Sequence, residues 1–333
     1  MNDAKKISIA FQTNKSITAY GALAAQAEAY GFDAVTVYND MLYQPAWLPL
    51  LEMARATRRV QLGVASVNPF TCHPINLAGN IALLDEASGG RAYLGFARGA
   101  WLDFVGIEPA HPVTALREAM ECVRHLLTRS TAPYRGKIFS LAGGDALRWE
   151  ILRADIPFLL GTWGEKTMRA CLPYISEIKL GGTANPALVK RVRAFLDAEC
   201  RASGRAPENV GLVAGAVSVA DRDGDAARAL AKREVALYLP VVAALDATLE
   251  LDPTWRATLD MHVARGDYEN AARLISDELL EKFAFAGTPD EIAAHTRALF
   301  DAGAARVEFG TPHGFDEAEG MRLLSEVPEL LAS

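Results

Sequence analysis

Residues 60–97 read "VQLGVASVNPFTCHPINLAGNIALLDEASGGRAYLGFA". Two apolar runs, at 60–66 and 91–97, have the length and composition of buried β-strands. The segment 74–88 between them has a helical pattern, and it begins with Pro74, a residue that is well tolerated at the first position of a helix. Parallel strands of one sheet are joined by a crossover of this kind. The stretch therefore predicts a strand, a helix and a second, parallel strand.

The same alternation continues in both directions along the chain. Further strands, each followed by a helical segment, are predicted at 7–11, 34–38, 156–161, 176–182, 210–220 and 305–310. Eight is the number of parallel strands, with helices outside them, that closes a (β/α)8 barrel. An open doubly wound sheet is the alternative, but its G-x-G-x-x-G fingerprint is absent. The sequence thus favours an α/β fold of the TIM-barrel class.

One region interrupts the alternation after the seventh predicted strand. Residues 224–283 read as successive helices without an obvious strand. Length alone would allow two domains, but single barrels commonly have this length. We therefore predict one barrel domain over residues 1–333, with a helical insertion at about 224–283.

Composition excludes several classes of protein. The chain has 333 residues and a formal net charge of −7. It has no block of lysines or arginines, which argues against a nucleic-acid surface. Its four cysteines are far apart and lack metal-ligand spacing, so no metal site is predicted, and they fit a reducing compartment. With no secretion signal and no run of about 18 apolar residues, the sequence predicts a cytoplasmic protein without a membrane span.

Candidate functional residues were sought at the ends of the predicted strands, where barrel enzymes place their active sites. Asp40, Tyr43 and His73 are candidate proton donors or acceptors. An Asx turn at Asp40 and a helix cap at His73 are the structural alternatives. Arg98 suits an anion or a ring carbonyl, with an ordinary surface arginine as the alternative, and Gly99 would let the backbone approach a ligand closely.

Other candidates at the strand ends are aromatic or polar. Trp101 and Trp163 lie beside glycines, and their faces suit a flat ring. Gln12 lies in "FQTN" after the first strand, and His313 lies in "FGTPHG" after the eighth. We assign Gln12, Trp101 and His313 to the substrate, although His313 also fits an ordinary loop residue.

Residues 160–167, "LGTWGEKT", combine a strand end, a glycine-rich turn and a helix that begins at about Glu165. This is not a Walker A loop, because only two residues separate Gly161 from Gly164 and Glu165 precedes Lys166. Backbone N–H groups at the start of a helix attract anions. An ordinary strand-to-helix turn is the alternative reading.

Taken together, these segments resemble the bacterial luciferase-like superfamily. The resemblance lies at 27–40, 55–74, 77–107, 159–168 and 287–310, and "NPFTCHP" followed by "LLDEASGGRAYLGFARG" is its most specific part. The most similar branch is that of the coenzyme F-420 dependent oxidoreductases related to methylenetetrahydromethanopterin reductase. The resemblance implies a (β/α)8 barrel that binds FMN or coenzyme F-420 at its carboxyl face. It does not extend over 130–150 or 224–283.

The resemblance also implies which residues would bind the cofactor. The turns after strands four and five would contact its phosphate-bearing tail, and the end of strand three would lie against its ring. A non-prolyl cis peptide bond would fall between Ala65 and Ser66. The cofactor residues implied in this way are Asn39, Ala65, Ser66, Val67, Asn68, Arg98, Gly99, Ala100, Gly161, Thr162, Trp163, Gly164 and Lys166.

Three departures from the family pattern affect the substrate. Asn39-Asp40 stands where many members have Asp-His. Ala10 stands where methanopterin reductases have a glutamate, and Ala100 where the glucose-6-phosphate dehydrogenases of the branch have a catalytic glutamate. Neither a pterin nor a sugar phosphate is therefore predicted as the substrate.

The function favoured by these residues is hydride transfer between C5 of coenzyme F-420 and a C=C or C=N bond of a small molecule. An FMN-dependent monooxygenase with a separate flavin reductase is the alternative, and a non-catalytic flavin-binding barrel is the third. The helices predicted at 46–57 and 74–88 carry apolar residues on more than one face. They predict a homodimer or a larger homo-oligomer.

Overall fold

The computed structural model describes residues 5–332 and contains two sheets. The pairings described in the main sheet are parallel. Two short strands, β5 (Tyr134–Arg135) and β6 (Ser140–Leu141), form a separate antiparallel hairpin. The strands are β1 (Lys6–Phe11), β2 (Ala34–Val37), β3 (Gln61–Val67), β4 (Ala92–Ala97), β5 (Tyr134–Arg135), β6 (Ser140–Leu141), β7 (Phe158–Gly161), β8 (Glu177–Gly181), β9 (Gly211–Ala220), β10 (Ala284–Gly287) and β11 (Arg306–His313).

The main sheet is a closed parallel barrel. Its strand order is β10-β9-β11-β1-β2-β3-β4-β7-β8, and β8 also pairs with β9. The eight predicted strands are therefore confirmed as the barrel strands, and the α/β barrel fold is confirmed with them. The ninth strand, β10, was not predicted. It runs parallel to β9, with Ala284 opposite Val217 and Gly287 opposite Ala220.

Helices separate the strands and make up the predicted insertion. Residues 224–280 contain five of them and no strand, as the sequence predicted. The helices are α1 (Ala19–Ala29), α2 (Trp47–Ala56), α3 (Pro74–Ser88), α4 (Pro112–Leu127), α5 (Glu165–Cys171), α6 (Pro186–Ala202), α7 (Gly224–Ala236), α8 (Leu239–Val242), α9 (Pro253–Ala264), α10 (Tyr268–Arg273), α11 (Asp277–Leu280), α12 (Pro289–Asp301), α13 (Glu317–Leu324) and α14 (Val327–Ala332).

Local sequence explains where several of these helices begin and end. Pro74 occupies the first turn of α3, and Gly89 ends that helix with a left-handed φ of 66°, the conformation that glycine adopts without a steric cost. Thr288 and Glu291 form a capping box at the start of α12. No helix within residues 5–332 is long and apolar enough to cross a membrane.

The chain divides into two compact units. The first contains the residues up to Ile9, Leu180–Ala198 and the chain from Gly211 onward, and the second contains Ala10–Lys179 and Glu199–Val210. The candidate cofactor residues all lie in the second unit, whereas His313 and the helical insertion lie in the first. The prediction that the chain is one domain stays a prediction.

Candidate functional site

Strand pairing brings two of the predicted cofactor turns together. Ala97 at the end of β4 lies opposite Gly161 at the end of β7. The turn that begins with Arg98 therefore runs beside the turn that begins with Thr162. A Cβ placed on Gly161 would lie 3.2 Å from Ser66 Oγ, so the end of β3 reaches the same place. The three strand ends that the resemblance assigned to the cofactor are thus neighbours.

Gly99 joins the turns after β3 and β4 through a close contact with Asn68. Its φ is +86°, and a Cβ placed on it would lie 2.9 Å from Asn68 Nδ2. Asn68 Oδ1 in turn accepts hydrogen bonds from the backbone N–H groups of Phe70 (3.0 Å) and Thr71 (2.9 Å). The Asn68 side chain therefore stabilises the turn in which it lies. Only glycine at position 99 permits this side chain to lie so close to the backbone of the next turn.

The predicted cis peptide bond is present between Ala65 and Ser66. The register of β3 against β4 shifts at the same place, between Val64 and Val67. Ala65 and Val67 are buried and Ser66 is half-buried. The end of β3 is thus irregular backbone at the position that the resemblance assigned to the cofactor ring.

The turn after β7 uses part of its backbone for its own structure. The Thr162 N–H donates to the Lys179 carbonyl (3.2 Å), and the Gly164 N–H donates to Thr162 Oγ1 (3.1 Å). Helix α5 begins directly after Gly164, as predicted, but it has only seven residues. Gly164 itself has φ −89° and ψ 118°, an ordinary extended conformation.

Two cationic side chains, Arg98 and Lys166, belong to these turns. Arg98 and Lys166 are both exposed, and neither has a hydrogen bond or ion pair from its side chain to another residue among 5–332. Some other exposed cations form ion pairs, for example Arg169 with Glu199 at 2.7 Å. Arg98 and Lys166 therefore remain available to an anion.

Asp40 is held by Gln12 at the ends of β1 and β2. Gln12 Nε2 donates to Asp40 Oδ2 (2.8 Å), and Gln12 Oε1 accepts from the Thr13 N–H (2.8 Å). These two bonds fix which end of the Gln12 amide faces the carboxylate. The Tyr43 N–H donates to the Asp40 carbonyl (3.3 Å), and the Tyr43 side chain is exposed. Asn39 Oδ1 accepts from the Ala46 N–H (3.2 Å), so the Asn39 amide supports the start of α2.

His73 caps helix α3, which is the structural alternative that the sequence analysis gave for this residue. Its Nδ1 accepts a hydrogen bond from the Ile75 N–H at 3.2 Å, so the neutral ring carries its proton on Nε2. The ring meets Phe139 edge to face, with 5.5 Å between ring centroids. Nε2 is therefore the atom through which His73 would donate a proton.

Trp101 and His313 differ in their access to a ligand. Trp101 is half exposed and has a left-handed φ of 53° after the β4 turn. His313 is fully buried at the end of β11, and its Nδ1 lies 3.8 Å from Glu317 Oε1. The Trp101 side chain is therefore accessible to a ligand, whereas the His313 side chain is not. The substrate roles of both residues stay predictions.

Glu118 on α4 was missed by the sequence analysis. It is 2% exposed, and it accepts backbone hydrogen bonds from Lys137 (2.9 Å), Ile138 (2.7 Å) and Phe139 (3.1 Å). It therefore anchors the β5–β6 hairpin, which places Phe139 against the His73 ring. A glutamate inside the buried face of an amphipathic helix was the signal that could have revealed it.

We expect Glu118→Gln to lower the free energy of unfolding by about 1.5 kcal/mol at neutral pH, because the new NH2 group faces backbone donors. Burial alone would raise the pKa of Glu118, but the three N–H donors and the Arg117 charge outweigh it and hold that pKa below its usual range. The stabilisation is complete above the unfolded-state pKa of about 4.3 and is lost as pH falls through the lower folded-state pKa.

Melting temperatures between pH 7 and pH 3 test this expectation. The difference between the parent protein and Glu118→Gln should shrink on acidification, because only the parent loses an ionised carboxylate. Glu86→Gln is the control, since Glu86 is exposed on α3. A difference that stays constant with pH would contradict the role assigned to the carboxylate.

Comparison with known proteins identifies similar chains over most of the sequence. A family model described as luciferase-like monooxygenase matches residues 5–306. The 5,10-methylenetetrahydromethanopterin reductase of Methanolobus tindarius is 26% identical over 306 residues, which are 90% of this chain and 92% of that protein. The enzyme of the same name from Methanopyrus kandleri is 28% identical over 322 residues, with 90% of each chain covered.

A solved structure has the same fold over the whole length. The coenzyme F-420 dependent tetrahydromethanopterin reductase from Methanopyrus kandleri superposes with a TM-score of 0.89 and 24% identity, covering 98% of this chain and 99% of that one. Among residues 5–332, no group of three or more His, Cys, Asp or Glu side chains could hold a metal ion.

Proposed function

Since the chain belongs to the luciferase-like monooxygenase family of oxidoreductases, we propose that its hydride carrier is coenzyme F-420. The reaction is hydride transfer to or from a C=C or C=N bond of a small molecule. The observation that carries this proposal is the pair of adjacent turns after β4 and β7. Their register, Ala97 opposite Gly161, places the turn that carries Arg98 beside the turn that leads to Lys166, and neither cation has an ion-pair partner among residues 5–332. An acidic, phosphate-bearing tail is the ligand that suits them.

The backbone at these turns fits such a tail. A Cβ placed on Gly164 would have no atom nearer than 3.6 Å, so the turn has room for one more atom there without a clash. Arg98 and Lys166 would hold the anionic tail, and residues 65–68 would contact the ring. When bound, coenzyme F-420 supplies a hydride donor or acceptor at C5 of its ring. The similarity to methanopterin reductases over 90% of the chain supports this choice of cofactor.

Proton transfer is assigned to this chain's own residues. The Gln12 amide fixes Asp40 Oδ2 as an acceptor, so a proton on Asp40 would be carried on Oδ1. His73 offers a proton on Nε2, because its Nδ1 is occupied by the Ile75 N–H. Ala10 is fully buried in β1, and its side chain supplies no carboxylate there. We therefore do not propose the pterin substrate of the similar reductases as the substrate of this protein.

Oxygen uptake with the two reduced cofactors tests the proposal. We expect reduced coenzyme F-420 to stay reduced in air with the protein present and to be oxidised when an acceptor with an activated C=C or C=N bond is added. The competing function is an FMN-dependent monooxygenase with a separate flavin reductase. Protein-dependent oxygen consumption with reduced FMN, together with an oxygenated product, would replace our proposal with that function.

We further propose that the protein is a homodimer that pairs through α2 and α3. Leu48 on α2 and Leu83 on α3 are 63% and 54% exposed, and the two helices pack on each other within one unit. Large apolar side chains on adjacent helices favour a protein interface.

Light scattering at micromolar concentration is expected to give twice the monomer mass of 35.9 kDa. The double variant Leu48→Glu, Leu83→Glu should then be monomeric. Leu152→Glu is the matched control, because Leu152 is as exposed as Leu83 but lies on a loop. A monomeric parent protein would refute the dimer, and a dimeric double variant would refute this interface.

A further inference from the structure

A small cavity lies at the carboxyl end of β8, within the first unit. Its volume is about 190 Å³. Its walls come from the end of β8, from β9, from the insertion helices α7 and α8, and from the segment before β10. The residues that line it are Gly181, Gly182, Val217, Val235, Tyr238, Val242 and Phe283. In (β/α)8 enzymes the active site lies at the carboxyl ends of the strands, and Gly181 in the cavity wall is the last residue of β8.

The lining of the cavity is apolar. Three valines, one phenylalanine and one tyrosine surround it, and none of the lining side chains is charged. Phosphates, carboxylates and sugars need hydrogen-bond donors or acceptors when they leave water. The lining supplies almost none, so the cavity excludes such groups and favours a hydrocarbon.

Two consecutive glycines shape one wall of the cavity. Gly182 has φ +83°, and a Cβ placed on it would lie 2.8 Å from Val242 Cγ1. Glycine at 182 therefore permits α8 to pack closely on the end of β8. Gly181 differs, because a Cβ placed there would meet no atom within 4 Å. A side chain at 181 would extend into open space.

The walls are held in place by hydrogen bonds on both sides. Asn185 Nδ2 donates to Asp246 Oδ2 (2.8 Å) and to Thr248 Oγ1 (3.0 Å). This pins the segment after α8 to the start of α6, and Asn185 and Asp246 are both buried. On the other side, the Ala184 N–H donates to the Lys282 carbonyl (2.9 Å). The cavity is thus formed before any ligand binds.

We propose that this cavity binds an apolar group of the substrate, an aryl ring or a branched alkyl chain of similar size. A preformed cavity of about 150 Å³ lined by Leu, Ile and Phe is large enough for benzene, and the present cavity is slightly larger. The helical insertion, which supplies Val235, Tyr238 and Val242, then selects the substrate by its hydrocarbon part. That this group belongs to the substrate rests on the proposed oxidoreductase function.

Binding of fluorobenzene, followed by 19F NMR, tests the cavity directly. We expect the parent protein to bind this probe and Gly181→Leu to weaken binding at least tenfold, because the new side chain fills the open space beside the cavity. Val242→Ala should bind the larger probe 1-fluoronaphthalene at least fivefold more tightly than the parent. Val241→Ala is the matched control, since Val241 is exposed on the same helix and does not line the cavity. Melting temperatures of all variants establish that they fold.

The outcomes separate this inference from the proposed function. Fluorobenzene binding that Gly181→Leu leaves unchanged, or no binding to the parent, would overturn the inference. So would equal effects of Val242→Ala and Val241→Ala. Coenzyme F-420 is titrated into the same proteins, and its affinity should be the same in all of them. If the probe binds as expected and coenzyme F-420 does not bind, the cavity stands as a binding site for a hydrocarbon group, and its assignment to the substrate fails together with the proposed function.

Discussion

Gly164→Val is expected to weaken coenzyme F-420 binding by about 30-fold, or about 2 kcal/mol, while the melting temperature stays that of the parent protein. Gly164 has φ −89° and ψ 118°, a region that β-branched residues favour. Its added Cβ would lie 3.6 Å from Thr167 Oγ1 and 3.7 Å from Thr162 Oγ1, which is ordinary contact. The folded protein therefore accommodates valine, but the added side chain would occupy the place beside the turn where we propose that the cofactor tail binds.

Lys166→Ala is the companion variant, and its expected effect is smaller. One solvated charge contact contributes about 1 kcal/mol at most, so the dissociation constant should rise only about fivefold. Both constants are obtained by titration of the cofactor. If Gly164→Val binds coenzyme F-420 as tightly as the parent does, the loop is an ordinary connection between β7 and α5.

Gly99→Val is expected to lower the free energy of unfolding by about 3 kcal/mol. A left-handed backbone costs an L-residue about 1–2 kcal/mol, and Gly99 has φ +86°. Overpacking costs a further 1–3 kcal/mol or so, because the Cβ would lie 2.9 Å from Asn68 Nδ2 and 3.1 Å from Asn68 Cγ. The variant should also lose cofactor binding, since the turns after β3 and β4 can no longer keep their contact. Denaturant unfolding measures the first effect, and titration the second.

Gly31→Val separates the two contributions to this loss. Gly31 has a similar φ of +82°, but a Cβ placed there would meet nothing within 4 Å. It should therefore show the cost of the backbone conformation alone. Equal losses for the two variants would mean that the contact between Gly99 and Asn68 does not matter.

The barrel was predictable from the sequence because the pattern of a strand followed by a helix is repeated eight times and each repeat is long. It missed β10, whose four residues "AFAG" are too few to show a period. It ended the eighth strand at Gly310, whereas β11 continues through Thr311 and Pro312 to His313, because a Gly-Thr-Pro run normally ends a strand. The β5–β6 hairpin depends on a buried carboxylate on α4, a tertiary contact that no local pattern reveals.

The site was predictable where it depends on strand ends, and less so where it depends on side-chain partners. The turns after β4 and β7 meet because their strands pair, which the βα alternation implies. The pairing of Gln12 with Asp40 joins residues 28 positions apart, and no spacing rule predicts it. The apolar cavity combines residues from Gly181 to Phe283, so it became visible only in the folded chain.

Calorimetric titration of the purified protein with coenzyme F-420 and with FMN, in one buffer and at one salt concentration, compares the two cofactors directly. The adjacent turns with Arg98 and Lys166 predict that coenzyme F-420 binds more tightly than FMN, and that added salt weakens its binding because charges on the acidic tail are screened. A dissociation constant for FMN clearly below that for coenzyme F-420 would contradict the assignment of coenzyme F-420 to this protein.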